Sequence, residues 1–205
     1  MTKEKVIKQN FLIIRNVVII CLCLISSLSI TGELFFVGNA FANSLINLDE
    51  ALQKNLPKAS QIEKKTVLLS DEQKKSVEEK ANVTFDPEFD KEFNFYTGRV
   101  NGQIAGYTAE NTVQGKWGPI HYLVGFDLNG KITNIIVLSL NEKRGRPVAK
   151  PRFLNQFVGK TAKNQIRLRR DIQGITGATI SSRSLTDGIR KMLYIFDEFR
   201  KTQSQ

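Results

Sequence analysis

Two Asn-Gly pairs, Asn101-Gly102 and Asn129-Gly130, each stand between stretches in which apolar and polar residues alternate. An Asn-Gly pair supplies the left-handed backbone that a tight hairpin turn requires, and alternation is the mark of a strand with one buried face. The stretches are FNFYTGRV (93–100), QIAGYTAEN (103–111), IHYLVGFDL (120–128) and KITNIIVLSL (131–140). They predict an antiparallel sheet of at least four strands.

Such a sheet needs an apolar cover, and the C-terminal part of the chain supplies one. SLTDGIRKMLYIFDEFRK places Leu185, Ile189, Leu193 and Phe196 on one helical face, with Met192 and Phe199 beside it. RFLNQFVG (152–159) reads as one or two helical turns ended by Gly159. The predicted class is α+β. Residues 43–92 are more polar and read as an N-terminal, mostly helical extension before a domain spanning 93–205. Within the extension, Leu45, Leu48, Leu52 and Leu56 have near-helical spacing, and Pro57 stops that run. KKTVLLS fits a short strand, and SDEQKKSVEEKAN fits a helix opened by Ser70.

The first 42 residues stand apart. Lys3, Lys5 and Lys8 precede an apolar run from Val17 to Ile30, and the small-x-small sequence Ala40-Phe41-Ala42 follows. This is the pattern of a cleaved signal peptide, with a mature chain beginning at Asn43. A retained membrane anchor is the alternative, since flanking apolar residues would lengthen a run otherwise short of the ~20 residues that span a bilayer. Either case places the rest outside the cytoplasm, in a periplasm or at the outer side of the inner membrane. Both cysteines, Cys21 and Cys23, lie in this segment, so a cleaved chain has no disulfide, Cys-ligated zinc or iron–sulfur cluster. The net charge of +10 is concentrated in residues 143–170, which hold ten Lys or Arg and no acid. An exported chain seldom meets nucleic acid. The expected contacts of this segment are therefore an acidic protein partner or a membrane surface, unless it is simply a solvated face.

Catalytic constellations are scarce. His121 is the one histidine and sits on a predicted strand, where packing is the commoner role. The unusual stretch is DIQGITGATISSRSL, residues 171–185, with an Asp, two Gly and a cluster of hydroxyls at the start of the amphipathic helix. One reading is a turn plus a cap, Ser181 or Ser182 capping a helix that starts before Leu185. The other is an anion site: a helix start offers free N–H groups and positive partial charge, and Gly177 and Ala178 allow close approach of a bulky ligand. Trp117 has two readings as well, a core residue at a strand start or a cover for a flat ligand.

Asp171, TGAT at 176–179, Ile180, Ser181 and the terminal helix together resemble the flavinylation motif of the FMN-binding domain family. That family includes the flavin-carrying subunits of sodium-pumping NADH:quinone reductase and of the Rnf-type complex. The similarity runs from about Phe93 to Phe199, through the strands and RFLNQFVGK. It implies FMN joined as a phosphoester to Thr179 by an extracytoplasmic flavin transferase, making the chain a phosphoprotein in the chemical sense. Thr176, Gly177, Ala178 and Ser181 would shape the site, Asp171 would position the loop or be read by the transferase, and Glu142 matches the residue before a Thr-Pro-Gly loop. Here KRGRPV follows Glu142, a departure that suggests a free-standing carrier rather than a component of either ion-pumping complex. The implied role is an electron-transfer flavoprotein between redox donor and acceptor proteins, membrane-bound components or cytochromes among them, rather than an enzyme with its own substrate. A flavin-binding sensory or regulatory module of the same fold is the alternative.

Overall fold

A computed structural model describes residues 43–203. The segment read as signal or anchor, with Cys21 and Cys23, lies outside these residues. Among the described residues, no helix is long and apolar enough to cross a membrane.

The strands are β1 (Asn43–Ser44), β2 (Gln61–Val67), β3 (Phe93–Val100), β4 (Gln103–Gln114), β5 (Pro119–Phe126) and β6 (Ile132–Leu140). They form one sheet in the order β1-β6-β5-β4-β3-β2, with every neighbouring pair antiparallel. The four expected strands are all present. The two Asn-Gly pairs behave differently, however. Asn101 and Gly102 both have positive φ, at 51° and 78°, as a two-residue turn demands. Around the second pair only Gly130 does, at 81°, because Asp127 and Lys131 close a longer loop in which Asp127 Oδ1 accepts from the Asn129 and Lys131 N–H groups.

The helices are α1 (Leu48–Asn55), α2 (Asp71–Ala81), α3 (Pro151–Leu154) and α4 (Thr179–Gln203), with a 3₁₀ turn over Arg146–Ala149. Asn47 caps α1, leaving Leu45 outside the helix and exposed. Ser70 and Gln73 form a reciprocal capping box on α2. Residues 43–92 do more than add helices, since Gln61–Val67 pairs with Phe93–Arg99 of β3 and extends the sheet.

α4 covers one face of the sheet. Leu185, Ile189, Met192, Leu193, Phe196 and Phe199 are all buried against Phe93, Phe95, Tyr122, Val124 and Phe126. Phe199 stacks on Phe95 at 4.1 Å and Phe196 on Phe126 at 4.3 Å. Each such side chain contributes about 1.5–3 kcal/mol on leaving water. α1 packs Ala51, Leu52 and Leu56 on the opposite face, over Tyr96, Leu123 and Leu138. Beyond α1 that face is polar. His121 is half-buried there, its Nε2 2.8 Å from Glu110, whose carboxylate also accepts from Tyr96 and Asn94. Burial opposes the Glu110 charge, but these partners outweigh it and hold its carboxyl at about 2.

One buried cation ties three segments together. Arg190 of α4 donates to the carbonyls of Ala81 and Asn82 at the end of α2, and to the carbonyl of Ile166 in the loop before α4. A guanidinium fits the negative end of a helix, and it satisfies carbonyls that would otherwise be orphaned. Replacing Arg190 with Met strands these acceptors and should cost about 3 kcal/mol of unfolding free energy. Urea denaturation measures it, with exposed Arg183→Met as the comparison. A loss no larger than that of Arg183→Met would contradict the tie.

Candidate functional site

The chain approaches α4 through a loop held by side chains. Asp171 accepts from the backbone N–H groups of Arg167 at 2.6 Å and Ile166 at 2.9 Å, and pairs with Lys160 at 3.2 Å. Ile166 is fully buried with φ of 45°, a conformation a β-branched residue adopts only when its surroundings impose it. Asp171 and Arg190 impose it from either side. Gln156 then straps Gln173, accepting from its N–H and donating to its carbonyl.

The next turn delivers the hydroxyls. Ala178 N–H donates to the Ile175 carbonyl across Gly177, which has φ of 78° and open space where a side chain would stand. The helix starts at Thr179. This corrects the cap expected from sequence: Ser181 and Ser182 lie inside the first turn and are buried, so neither is an N-cap. Ser182 instead reaches back, its Oγ accepting from Ile175 N–H, and so locks the turn onto the helix. The sequence concealed this because a helix start rich in Ser and Thr has several equally good cap positions.

Thr179 is half-buried at the first helical position, and its hydroxyl makes no hydrogen bond among the described residues. Thr176 and Gly177 are exposed, whereas Ala178 is buried. The first N–H groups of a helix have no intrahelical acceptor. α1 and α2 each place two acids at this position, Asp49 and Glu50, and Asp71 and Glu72. α4 has none in its first turn, so no residue of its own N-terminal turn opposes its dipole.

Glu142 joins this site from the end of β6. Its carboxylate is 3% exposed, and Oε1 accepts from Trp117 N–H at 3.3 Å. Two glycines make room for it: a Cβ on Gly115 would lie 2.2 Å from Oε1, and one on Gly145 would lie 2.4 Å from Oε2. The same point at Gly145 is 2.8 Å from Ser181 Oγ, so the carboxylate and the hydroxyl are close neighbours. Glu142 Oε2 and Ser181 Oγ are both buried without a hydrogen-bond partner among the described residues. Neither glycine was singled out from the sequence, because the need for a missing side chain arises only from where Glu142 folds back.

Trp117 is not a core residue. Its ring is 50% exposed in the loop before β5, with the ammonium groups of Lys143 and Lys116 at 5.0 and 5.5 Å from its centre. The structure thus brings Glu142, Ser181 and the backbone of Trp117 together beside the start of α4. Asp171 is turned toward the backbone of residues 166–167, where it shapes the loop. Between α3 and residues 173–176 lies a cavity of about 580 Å³ that sequence reasoning missed, since its walls come from segments far apart in the chain.

Residues 115–194 match the sequence model of the family described as FMN-binding domain. Over 116 residues, 52% of this chain, the sequence is 31% identical to a component of the Na(+)-translocating ferredoxin:NAD(+) oxidoreductase complex of Acetobacterium woodii. Over 105 residues, 48% of this chain, it is 28% identical to the corresponding component of the proton-translocating ferredoxin:NAD(+) oxidoreductase complex of Clostridium ljungdahlii. The matched stretches span 56% and 57% of those two proteins, little more than half their length. A solved component of the Na(+)-translocating NADH-quinone reductase of Parabacteroides distasonis is 18% identical, covering 73% of this chain and 86% of that one. Its TM-score of 0.41 is too low to carry an argument from shape. Every site residue expected from the sequence lies inside the matched stretch.

The site's features suit a phosphorylated flavin: a helix whose first turn carries no acid, an open turn at Gly177, unpartnered polar atoms on Glu142 and Ser181, and an adjoining cavity. The loop before it has its own test. Although partial burial disfavours the charge, the Arg167 and Ile166 N–H groups and Lys160 hold the Asp171 carboxyl below the usual aspartate range. The order it confers is therefore present above the unfolded-state value of about 3.9 and lost as pH falls through the lower folded-state value. The amide NMR shifts of Ile166 and Arg167 should titrate below about pH 3.9 and lose that titration in Asp171→Asn. A midpoint at or above the ordinary value would contradict this role.

Proposed function

We propose, from the premise that residues 115–194 are an FMN-binding domain, that this chain carries FMN through a phosphoester at Thr179 and passes electrons between other redox proteins outside the cytoplasm. The observation that carries the reading is the placement of Thr179. Its hydroxyl has no hydrogen-bond partner among the described residues, and it stands at the first position of a 25-residue helix with no acid in its first turn. The backbone N–H groups there would hold the phosphate oxygens, with Gly177 leaving room for approach. Ser181 and Glu142 would engage polar groups next to the phosphate.

Threonine is a weak nucleophile without a base, and among the described residues no carboxylate or imidazole is hydrogen-bonded to Thr179. The reading therefore assigns attachment to a separate extracytoplasmic flavin transferase, with this chain as its substrate. Once attached, the flavin supplies the redox chemistry, and the chain sets its position and electrostatic surroundings. Donor and acceptor are assigned to the cell envelope, in keeping with the export signal read in residues 1–42. The named relatives, as parts of oxidoreductase complexes, support a redox role. The basic segment 143–170 would meet an acidic face of a partner.

Thr179→Ala, co-expressed with a flavin transferase and then denatured, should show no flavin fluorescence on the protein band. Thr176→Ala should weaken labelling less, since its side chain is exposed on the turn. Thr179→Ser should retain part of it. Fluorescence in Thr179→Ala equal to that of the wild type would overturn the assignment.

A further inference from the structure

We propose that a second cavity, between the end of α1 and the sheet, binds a small organic monocarboxylate, with the Asn55 side-chain amide as its buried donor and Lys58 as the cation at its mouth. The proposal does not depend on the Thr179 reading. α1 lies on the face of the sheet opposite α4, and the cavity meets β6 at its first residues, whereas Glu142 follows its last.

The cavity, about 470 Å³, lies in the size range of small-molecule sites. One wall is the chain from Lys54 to Ala59, where α1 ends, and the other is the sheet at residues 105–106, 126–127 and 133–134. The first wall and residues 105–106 lie outside the stretch 115–194, so the matched domain alone does not build this space.

Two bulges open the sheet wall. Gly98 pairs with Gly106 but Arg99 with Ile104, which leaves Ala105 unpaired with β3. Gly125 pairs with Asn134 but Phe126 with Ile132, which leaves Thr133 unpaired with β5. Such extra residues interrupt a ladder and re-aim side chains beside it. Gly125 completes the opening, since a Cβ there would stand 2.7 Å from Thr133 Oγ1 and 3.3 Å from Asn55 Cγ. Its missing side chain lets Asn55 settle onto the sheet.

Asn55 is only 8% exposed. Asn134 Nδ2 donates to its Oδ1 at 3.0 Å, which fixes the amide and leaves Asn55 Nδ2 buried with no acceptor among the described residues. A buried donor without an acceptor is destabilising, and a ligand oxygen in the cavity removes that cost.

The charges decide which oxygen. Lys54 is paired with Glu50 at 2.9 Å, whereas Lys58 is exposed and has no ion pair among the described residues. Asp127 is the one acid lining the cavity, and its Oδ1 is engaged by the Asn129 and Lys131 N–H groups of its own loop. The uncommitted groups are therefore the Asn55 amide and the Lys58 ammonium, one donor for each oxygen of a carboxylate. Leu56, Pro57, Ala59 and Ala105 supply apolar surface for a hydrocarbon body. A phosphate of two charges would need more donors than one neutral amide and one screened ammonium.

The experiment titrates the full-length chain, labelled with ¹⁵N, with benzoate, and with benzylamine and inorganic phosphate as comparisons. NMR follows the Asn55 side-chain amide and the backbone amides of residues 105, 106, 133 and 134. Benzoate should give saturable shifts centred on these groups, and the other two probes should not. Lys58→Gln should weaken benzoate about threefold, as expected for an exposed charge, and Lys58→Arg should restore it. Asn55→Asp keeps the acceptor for Asn134 but loses the donor, and should weaken benzoate about tenfold or more. Should Asn55→Asp fail to fold, the shift map and the two Lys58 variants decide. No saturable shift, or shifts centred on the basic segment 143–170, would overturn the site. Saturable binding of benzylamine or phosphate in place of benzoate would overturn the ligand class, and wild-type affinity in a folded Asn55→Asp would overturn the role of the amide.

Discussion

α4 lies so close to the sheet that a single methyl group on Gly188 would stand 2.5 Å from Val113 Cγ1 and 2.6 Å from the Tyr122 hydroxyl. This contact sets the height of the whole helix over β4 and β5. Phe196 and Phe199 can then stack on Phe126 and Phe95 further along, and Arg190 can reach the end of α2. The first turn of the helix, with Thr179, is fixed by the same packing. A site built at the end of a buried 25-residue helix inherits the rigidity of the core rather than that of a surface loop.

At that end the chain collects polar groups it does not satisfy. Glu142 Oε2 and Ser181 Oγ are buried without partners among the described residues, and the first turn of the helix carries no acid of its own. The starts of α1 and α2 and the preceding loop meet these needs: Asn47 and Ser70 cap their helices, and Asp171 takes two backbone N–H groups in its own loop. Leaving buried polar atoms unpaired costs on the order of 1–3 kcal/mol each, and such costs gather at functional sites. The local contrast between satisfied and unsatisfied groups is what separates the start of α4 from the starts of α1 and α2.

Much of the fold was legible because its signals are local. The strands over 93–140 follow from alternation, the helix from the spacing of Leu185, Ile189, Leu193 and Phe196, and the α2 start from Ser70. The failures have physical causes. The strand read in KKTVLLS is present over Lys64–Val67, but pairing with β3 starts it earlier, at Gln61, and ends it before Leu68, bounds that its own polar sequence does not announce. The start of α4 at Thr179 depends on Ser182 reaching back to Ile175 N–H, a choice among equivalent hydroxyls that only the folded loop makes. Trp117 was open to a core reading, yet the glycines on either side leave it in an exposed loop, with its N–H held by Glu142. The cavity at Phe153 and Ile175 could not be read at all, since it exists only where α3 meets the 173–176 segment.

The central claim is that the bond to the flavin is made at one hydroxyl. Trypsin cleavage after Arg170 and Arg183 releases Asp171 to Arg183 as a peptide containing Thr176, Thr179, Ser181 and Ser182 together. Fragmentation mass spectrometry of this peptide, from protein exported alongside a flavin transferase, tests the claim most directly. The expected result is an added mass of FMN less one water, with the fragment series placing it on Thr179. The same mass on Ser181, Ser182 or Thr176, or an unmodified peptide from a host whose transferase labels another substrate, would contradict it.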